Sequence, residues 1–182
     1  MRIISGTHGG RKIHPPSQMP KTRPTTDIAK EGLFNTLQNQ FDFEGISTLD
    51  LFGGTGSISY ELASRGATYC NIVEQDKKMY EFIKNNIQTL SFENQCHVIK
   101  MDVFKYILQC KDQYDFIFAG PPYALKEIDT IPDLIFEKNI LKDGGIFILE
   151  HTPRNNYEKH RCFSKSKHYG TTIFSFFSPK LT

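Results

Sequence analysis

The sequence predicts an α/β fold: a mostly parallel sheet, covered on both faces, that ends in an antiparallel hairpin. Three observations carry this. From residue 46 onward, short and nearly continuous apolar runs alternate with amphipathic stretches, the signature of strands buried on both faces between crossover helices. A glycine-rich turn, Gly53-Gly54-Thr55-Gly56, separates the first such run from the next helical stretch. Finally, "RCFSKSKHYGTTIFSFF" reads as two strands around Tyr169-Gly170, a hairpin at the sheet edge.

The elements follow in order. "RIISGTHGGRKI" places two apolar runs around Gly9-Gly10, as in a small hairpin. Four prolines in "HPPSQMPKTRP" (14–24) make a linker. Thr25, Thr26 and Asp27 are candidate helix N-caps, and Leu33, Phe34, Leu37 and Phe41 then share one helical face. Strands are expected at 46–52, 69–74, 96–100, 114–119 and 145–150, with helices near 57–65, 77–89, 103–109 and 129–139. With the hairpin this makes seven strands. The division is a head and linker over 1–24 and one domain over 25–182.

The chain of 182 residues suffices for one substantial core. It has no apolar stretch long enough to span a bilayer and no signal-peptide core, so a cytoplasmic protein is expected. Cys70, Cys96, Cys110 and Cys162 form no C-x-x-C pair, which argues against zinc or a redox centre. They read as reduced thiols, with a disulfide as the alternative. Charge is unevenly spread. Residues 1–30 carry six Lys/Arg against Asp27, residues 31–150 carry 10 against 18 acids, and residues 151–182 carry six against Glu158. A basic head and tail around an acidic middle suit a polyanion held at its ends, or a solubilising surface.

The chemistry sits at strand ends. "LDLFGGTGSIS" is G-G-x-G, neither the dinucleotide G-x-G-x-x-G nor a P-loop, since no Lys-Ser/Thr follows. Asp50 at the strand end suits an amine-bearing or cationic ligand. Glu74 closes the second strand, where a carboxylate can accept both ribose hydroxyls. Asp102 follows the third, where it can accept from an adenine amino group. Each alone also reads as a helix-capping surface acid. Together, beside the glycine loop, they favour an adenosine-bearing ligand.

On these motifs the sequence resembles a class I S-adenosylmethionine-dependent methyltransferase of Rossmann-like fold. Asp50 through Gly56, Phe52 and Thr55 included, resembles motif I. Glu74 resembles the ribose-binding acid, and Asp102, with Val103 beside it, the adenine-reading position. Gly120-Pro121-Pro122-Tyr123 resembles motif IV, which is Asp/Asn-Pro-Pro-Tyr/Phe in amino methyltransferases. The head with "RPTTDIAKEGLFNTL" is similar to the opening of the RsmD family. The resemblance implies methylation of the exocyclic N2 of a guanine in 16S rRNA, guanine 966. It implies S-adenosyl-L-methionine as cofactor, and as partner 16S rRNA in the small subunit or its assembly intermediate. A monomer is expected, with no membrane or metal partner.

Motif IV has a physical logic. An exocyclic amine conjugated with its ring is a poor nucleophile, so acceptors on its N–H groups must aim the lone pair at the methyl. The prolines fix a backbone carbonyl for this, and Tyr123 can stack on a flipped base. Gly120 removes the side-chain acceptor, and Asp115, roughly 17 Å back along the same strand, cannot replace it. Three readings stand: a weakened or inactive variant, reliance on the Pro121 carbonyl and a water, or an acid reaching in from elsewhere. The first predicts impaired transfer with cofactor binding intact. Arg11, Lys12, Lys21, Arg23 and Thr25 are candidate RNA contacts, with Arg154, Lys159, Arg161, Lys165 and Lys167 in the tail and His8, His14 and His168 as lesser candidates. The competing functions are an adenine-N6 DNA methyltransferase, a protein-glutamine methyltransferase, and a non-catalytic RNA-binding assembly factor supported by Gly120 alone.

Overall fold

The computed structural model describes residues 1–16 and 25–179. Among these residues seven strands form one sheet: β1 (Ser47–Leu51), β2 (Tyr69–Glu74), β3 (Cys96–Lys100), β4 (Tyr114–Ala119), β5 (Leu141–His151), β6 (Phe163–Tyr169) and β7 (Thr172–Phe177). Their order is β3-β2-β1-β4-β5-β7-β6. Strands β1 to β5 pair in parallel, and β7 runs antiparallel to both β5 and β6. The expected C-terminal hairpin is present, turning at Gly170 with φ +61°.

Among the described residues, five α-helices complete the fold: α1 (Asp27–Leu37), α2 (Ser57–Ser64), α3 (Lys77–Thr89), α4 (Val103–Gln109) and α5 (Ile131–Glu137). Thr26 caps α1, accepting from the Ala29 N–H. Side chains alternate along the buried strands and build a core on each face. Phe116, Phe118 and Ile148 join α1 and α3 residues such as Leu33, Phe34 and Ile83 on one face. Ile117, Ala119, Phe147 and Leu149 join α4 and α5 residues such as Ile107 and Ile135 on the other.

Two expectations change. Strand β5 begins at Leu141 rather than 145, and its pairing with β4 shifts register between Tyr114 and Phe116. Gly144, at φ +75°, lets the strand carry that irregularity in a stretch whose polar Lys142-Asp143 reads as loop. The head is the expected small hairpin, with an antiparallel bridge between Arg2 and Lys12 and backbone bonds from Ile3 to Arg11 (2.9 Å) and from Ile13 to Met1 (3.0 Å). It does not stand apart from the rest, however, since Ile3 and Ile13 are buried in the same core cluster as Leu33 and Phe34.

What holds the head is helix α2. All eight of its residues are buried, four of them polar. Ser59 bonds Asp50, while Glu61, fully buried, accepts the backbone N–H groups of Ile4 (2.7 Å) and Ser5 (3.1 Å) and the Arg65 guanidinium (2.8 Å). Lys30, 1% exposed, donates to the Arg2 carbonyl and to Ser57, and lies 3.9 Å from Glu61. Burial pushes the Lys30 ammonium below its usual value, opposed mainly by the Glu61 charge. Gly6 passes so close that a Cβ there would lie 1.8 Å from the Ser64 carbonyl oxygen. A buried charge stripped of its partner is costly. Glu61→Ala is therefore expected to cost about 3–5 kcal/mol in urea unfolding. Lys142→Ala, which breaks the half-exposed pair with Asp115, should cost about 1 kcal/mol or less in the same assay.

Candidate active site

The strand order reverses between β1 and β4, and in open α/β sheets ligands bind beyond the strand C-termini at such a point. Both sequence motifs lie there. Strand β1 runs into the glycine loop and β4 into the Pro-Pro-Tyr loop. Leu51 pairs with Ala119, and the Gly120 N–H donates to the Leu51 carbonyl at 3.2 Å.

The glycine loop is built by close approach. Phe52 leaves β1 with φ +66°, and its ring meets Phe104 at 6.5 Å, edge-on. Gly56 caps α2 at φ +77°, where a Cβ would lie 2.5 Å from the Tyr60 ring. At Gly54 a Cβ would meet nothing nearer than the Phe52 carbonyl at 3.7 Å, so the loop is open on that side. Glu74, at the end of β2, accepts from the Gly54 N–H (2.8 Å) and the Asp76 N–H (2.7 Å). Burial raises its carboxyl, and those two backbone donors oppose the rise. Asp102 caps α4 by accepting from the Lys105 N–H at 3.0 Å, and Val103 is buried behind it.

Asp50 sits beneath this loop. It is 2% exposed and accepts from Ser59 at 2.8 Å. Its carboxyl is pushed up to about 7, first by burial and then by the Glu74 and Glu150 charges, against the Ser59 bond. Thr55 is likewise buried.

Around Gly120 the structure adds a residue that the sequence reading passed over. Glu150, at the end of β5, is 3% exposed. Tyr123 donates its hydroxyl to Glu150 Oε1 at 2.9 Å, and Thr25 donates to Oε2. Tyr123 also lies 3.4 Å from the Thr172 hydroxyl. Pro121 is buried, and the Pro122 carbonyl accepts from the Leu125 N–H at 2.9 Å, which turns the chain back. The rule that picked out Asp50, Glu74 and Asp102, an acid at a strand's C-terminal end, would have found Glu150 as well. Asp115 lies at the other end of the sheet, bonded to Ser47 and Lys142.

The basic residues are spread more widely. Arg11 and Lys12 are exposed on the head, and Arg154, Lys159, Arg161 and Lys167 are exposed in the tail. Lys165 bonds Gln40 and lies 5.2 Å from the Phe176 ring centre. His8 packs on Phe92 at 4.5 Å, while His14 and His168 are exposed. Lys21 and Arg23 fall outside the described residues. All four cysteines are free thiols, with Cys70 and Cys96 facing each other across β2 and β3. Among the described residues there is no cluster of three metal-ligating side chains. No described helix is long and apolar enough to cross a membrane.

A seven-stranded sheet of this order, with a glycine loop and a Pro-Pro-Tyr loop side by side at its switch point, defines a class I methyltransferase. The cofactor of that class is S-adenosylmethionine. The open side of the loop at Gly54 and the acids Glu74 and Asp102 at successive strand ends fit its hydroxyl- and amine-bearing chemistry.

Comparison with known proteins narrows the class. The family described as conserved hypothetical protein 95 matches residues 1–178. The ribosomal RNA small subunit methyltransferase D of Buchnera aphidicola (strain Bp) is 30% identical over 178 residues, covering 93% of this chain and 89% of its own. The Haemophilus influenzae protein of the same name is 33% identical over 153 residues, covering 82% and 78%. The structure also matches a T. thermophilus 16S rRNA N2 methyltransferase, RsmC, in complex with AdoMet and guanosine. That match has a TM-score of 0.68 and 22% identity, and covers 86% of this chain and 44% of the other. The chain belongs to the RsmD family of ribosomal RNA methyltransferases.

Two outcomes test this geometry. Gly56→Ala should lower S-adenosylmethionine affinity more than tenfold by calorimetry, because the left-handed φ and the Tyr60 ring both exclude a Cβ. The Asp50 carboxyl has an ordinary value of 3.8 and sits near 7 in the fold. Between these, the folded chain holds a proton that the unfolded chain has released. Stability is then lost as pH rises through the window, by up to about 1.4 kcal/mol per unit, and levels off above it. Asp50→Asn removes this slope. Its stability relative to the parent should rise by about 1–3 kcal/mol between pH 5 and pH 7.5, read from urea midpoints.

Proposed function

We propose that this protein methylates the exocyclic N2 of a guanine in 16S rRNA, the position implied by the family resemblance being guanine 966. The family membership carries the coarser statement, S-adenosylmethionine-dependent methylation of ribosomal RNA. The observation that supports the finer one is the pairing of the glycine loop with the Pro-Pro-Tyr loop on adjacent strands, with a carboxylate beside them. That is the equipment needed to aim an amino group at a methyl donor.

In this reading S-adenosylmethionine supplies an electrophilic methyl on a sulfonium. The glycine loop, Glu74, Asp102 and Val103 hold it. Phe52 and Phe104, whose rings meet edge-on, border that side of the site. On the substrate side, the Pro121 carbonyl accepts one amine N–H, and a side-chain acceptor takes the other. Tyr123 offers its ring to the base while its hydroxyl is fixed to Glu150. Arg11 and Lys12 on the head, with Lys21 and Arg23 after it, contact phosphates around the target. Working in the cytoplasm on small subunits or their precursors follows from that substrate.

The test is labelled-methyl transfer to small ribosomal subunits lacking the modification. The expected product is N2-methylguanosine at one position, with no transfer to duplex DNA. Transfer to DNA adenine but not to the subunit would remove the RNA reading. Arg11→Ala and Lys12→Ala together should weaken RNA binding and make its salt dependence shallower by about two counterions, while leaving S-adenosylmethionine affinity unchanged.

A further inference from the structure

We infer that Glu150 is a catalytic residue of this chain, the side-chain acceptor for the target amine, in the place that motif IV elsewhere gives to residue 120. The inference rests on the amino-methyltransferase reading above.

Three observations carry it. The first is register. Ala119 pairs with Leu149 in parallel strands, so residues 120 and 150 are the next neighbours across β4 and β5. Residues at matching positions of paired strands share a face, at a spacing of about 4.8 Å. The second is distance. A Cβ placed on Gly120 would lie 3.8 Å from Glu150 Oε2. An aspartate's oxygens lie two bonds beyond its Cβ, so Oε2 stands within reach of the side chain that glycine omits. The third is orientation. Glu150 is 3% exposed and is held by Tyr123 from the motif IV loop and by Thr25 from the entrance to α1. A carboxylate this buried is costly to keep and well aimed once kept. A carboxylate's two oxygens together offer about four acceptor sites, so an incoming N–H can join donors already bound there.

The backbone does not demand glycine at 120. Its φ is not left-handed, and the nearest obstacle to a Cβ is the Phe118 ring edge at 3.1 Å. The acceptor has therefore moved one strand over rather than vanished. In the reaction, one N–H of the amine donates to Glu150 and the nitrogen lone pair forms the new N–C bond. The S–C bond breaks and leaves its electron pair on a neutral thioether. The proton on the cationic nitrogen then passes to water.

The experiment is a double-mutant cycle on the full chain. Glu150→Met keeps the volume, removes the acceptor and suits a buried position. Glu150→Gln keeps a carbonyl acceptor. Each is made with Gly120 and again with Gly120→Asp. The readouts are kcat on small subunits and guanosine affinity in the presence of S-adenosylhomocysteine, with S-adenosylmethionine binding as the check on folding.

Glu150→Met should lower kcat by about 10²–10³, and Glu150→Gln by less than about tenfold. Adding Gly120→Asp to Glu150→Met should restore most of the rate and the guanosine affinity. If the loss is the same with either residue at 120, Glu150 only props Tyr123 and Thr25, and the inference is overturned. No loss at all overturns it too. If the parent binds S-adenosylmethionine but neither methylates subunits nor binds guanosine, the functional reading falls and takes this inference with it.

Discussion

The site depends on the level alignment of three parallel strands. Leu51 pairs with Ala119, and Ala119 with Leu149, so β1, β4 and β5 end at nearly the same height. The side-chain period of a strand is two, and a slip of one residue would turn each terminal side chain to the opposite face. The burial pattern resists that slip. Ile117, Ala119, Phe147 and Leu149 must meet α4 and α5, while Phe116, Phe118 and Ile148 must meet α1 and α3. Two cores, one on each face, therefore fix where the glycine loop, the Pro-Pro-Tyr loop and Glu150 emerge.

The carboxylates at this edge show how the fold handles charge. Asp50, Glu74 and Glu150 are all buried, and each is given hydrogen-bond donors: Ser59 for the first, backbone N–H groups for the second, and two hydroxyls for the third. Burial is the main reason the Asp50 carboxyl is raised, and the Glu74 and Glu150 charges add to it. An edge so charged favours a cationic ligand, and a sulfonium is one. At the back of the site the same economy holds the head. Glu61 is paired with Lys30 and Arg65 inside the protein, and it also ties down the Ile4 and Ser5 amides. The basic head is thereby anchored to α2, the helix that begins at the glycine loop.

Much of this was readable in order along the chain. The glycine loop, the acids Glu74 and Asp102, the Pro-Pro-Tyr turn, the helices at 77–89 and 103–109 and the terminal hairpin all follow from local pattern. Local signals sufficed because each motif is contiguous and each element's period is its own. The start of β5 was not readable, because Lys142-Asp143-Gly144-Gly145 has loop composition and becomes strand only by pairing with β4. The head's hairpin was readable, but its docking was not, because the bonds that tie it down go to Glu61 and Ser64, more than fifty residues away.

Sequence alone determined the class of the protein and the side-chain chemistry at three strand ends, since those depend on which residues follow which. It also exposed a gap, a glycine where motif IV calls for an acceptor. Only tertiary structure decided what stands at that gap. Glu150 is thirty residues from Gly120 in the chain and one strand away in space, and parallel register, set by burial on both faces, makes them neighbours.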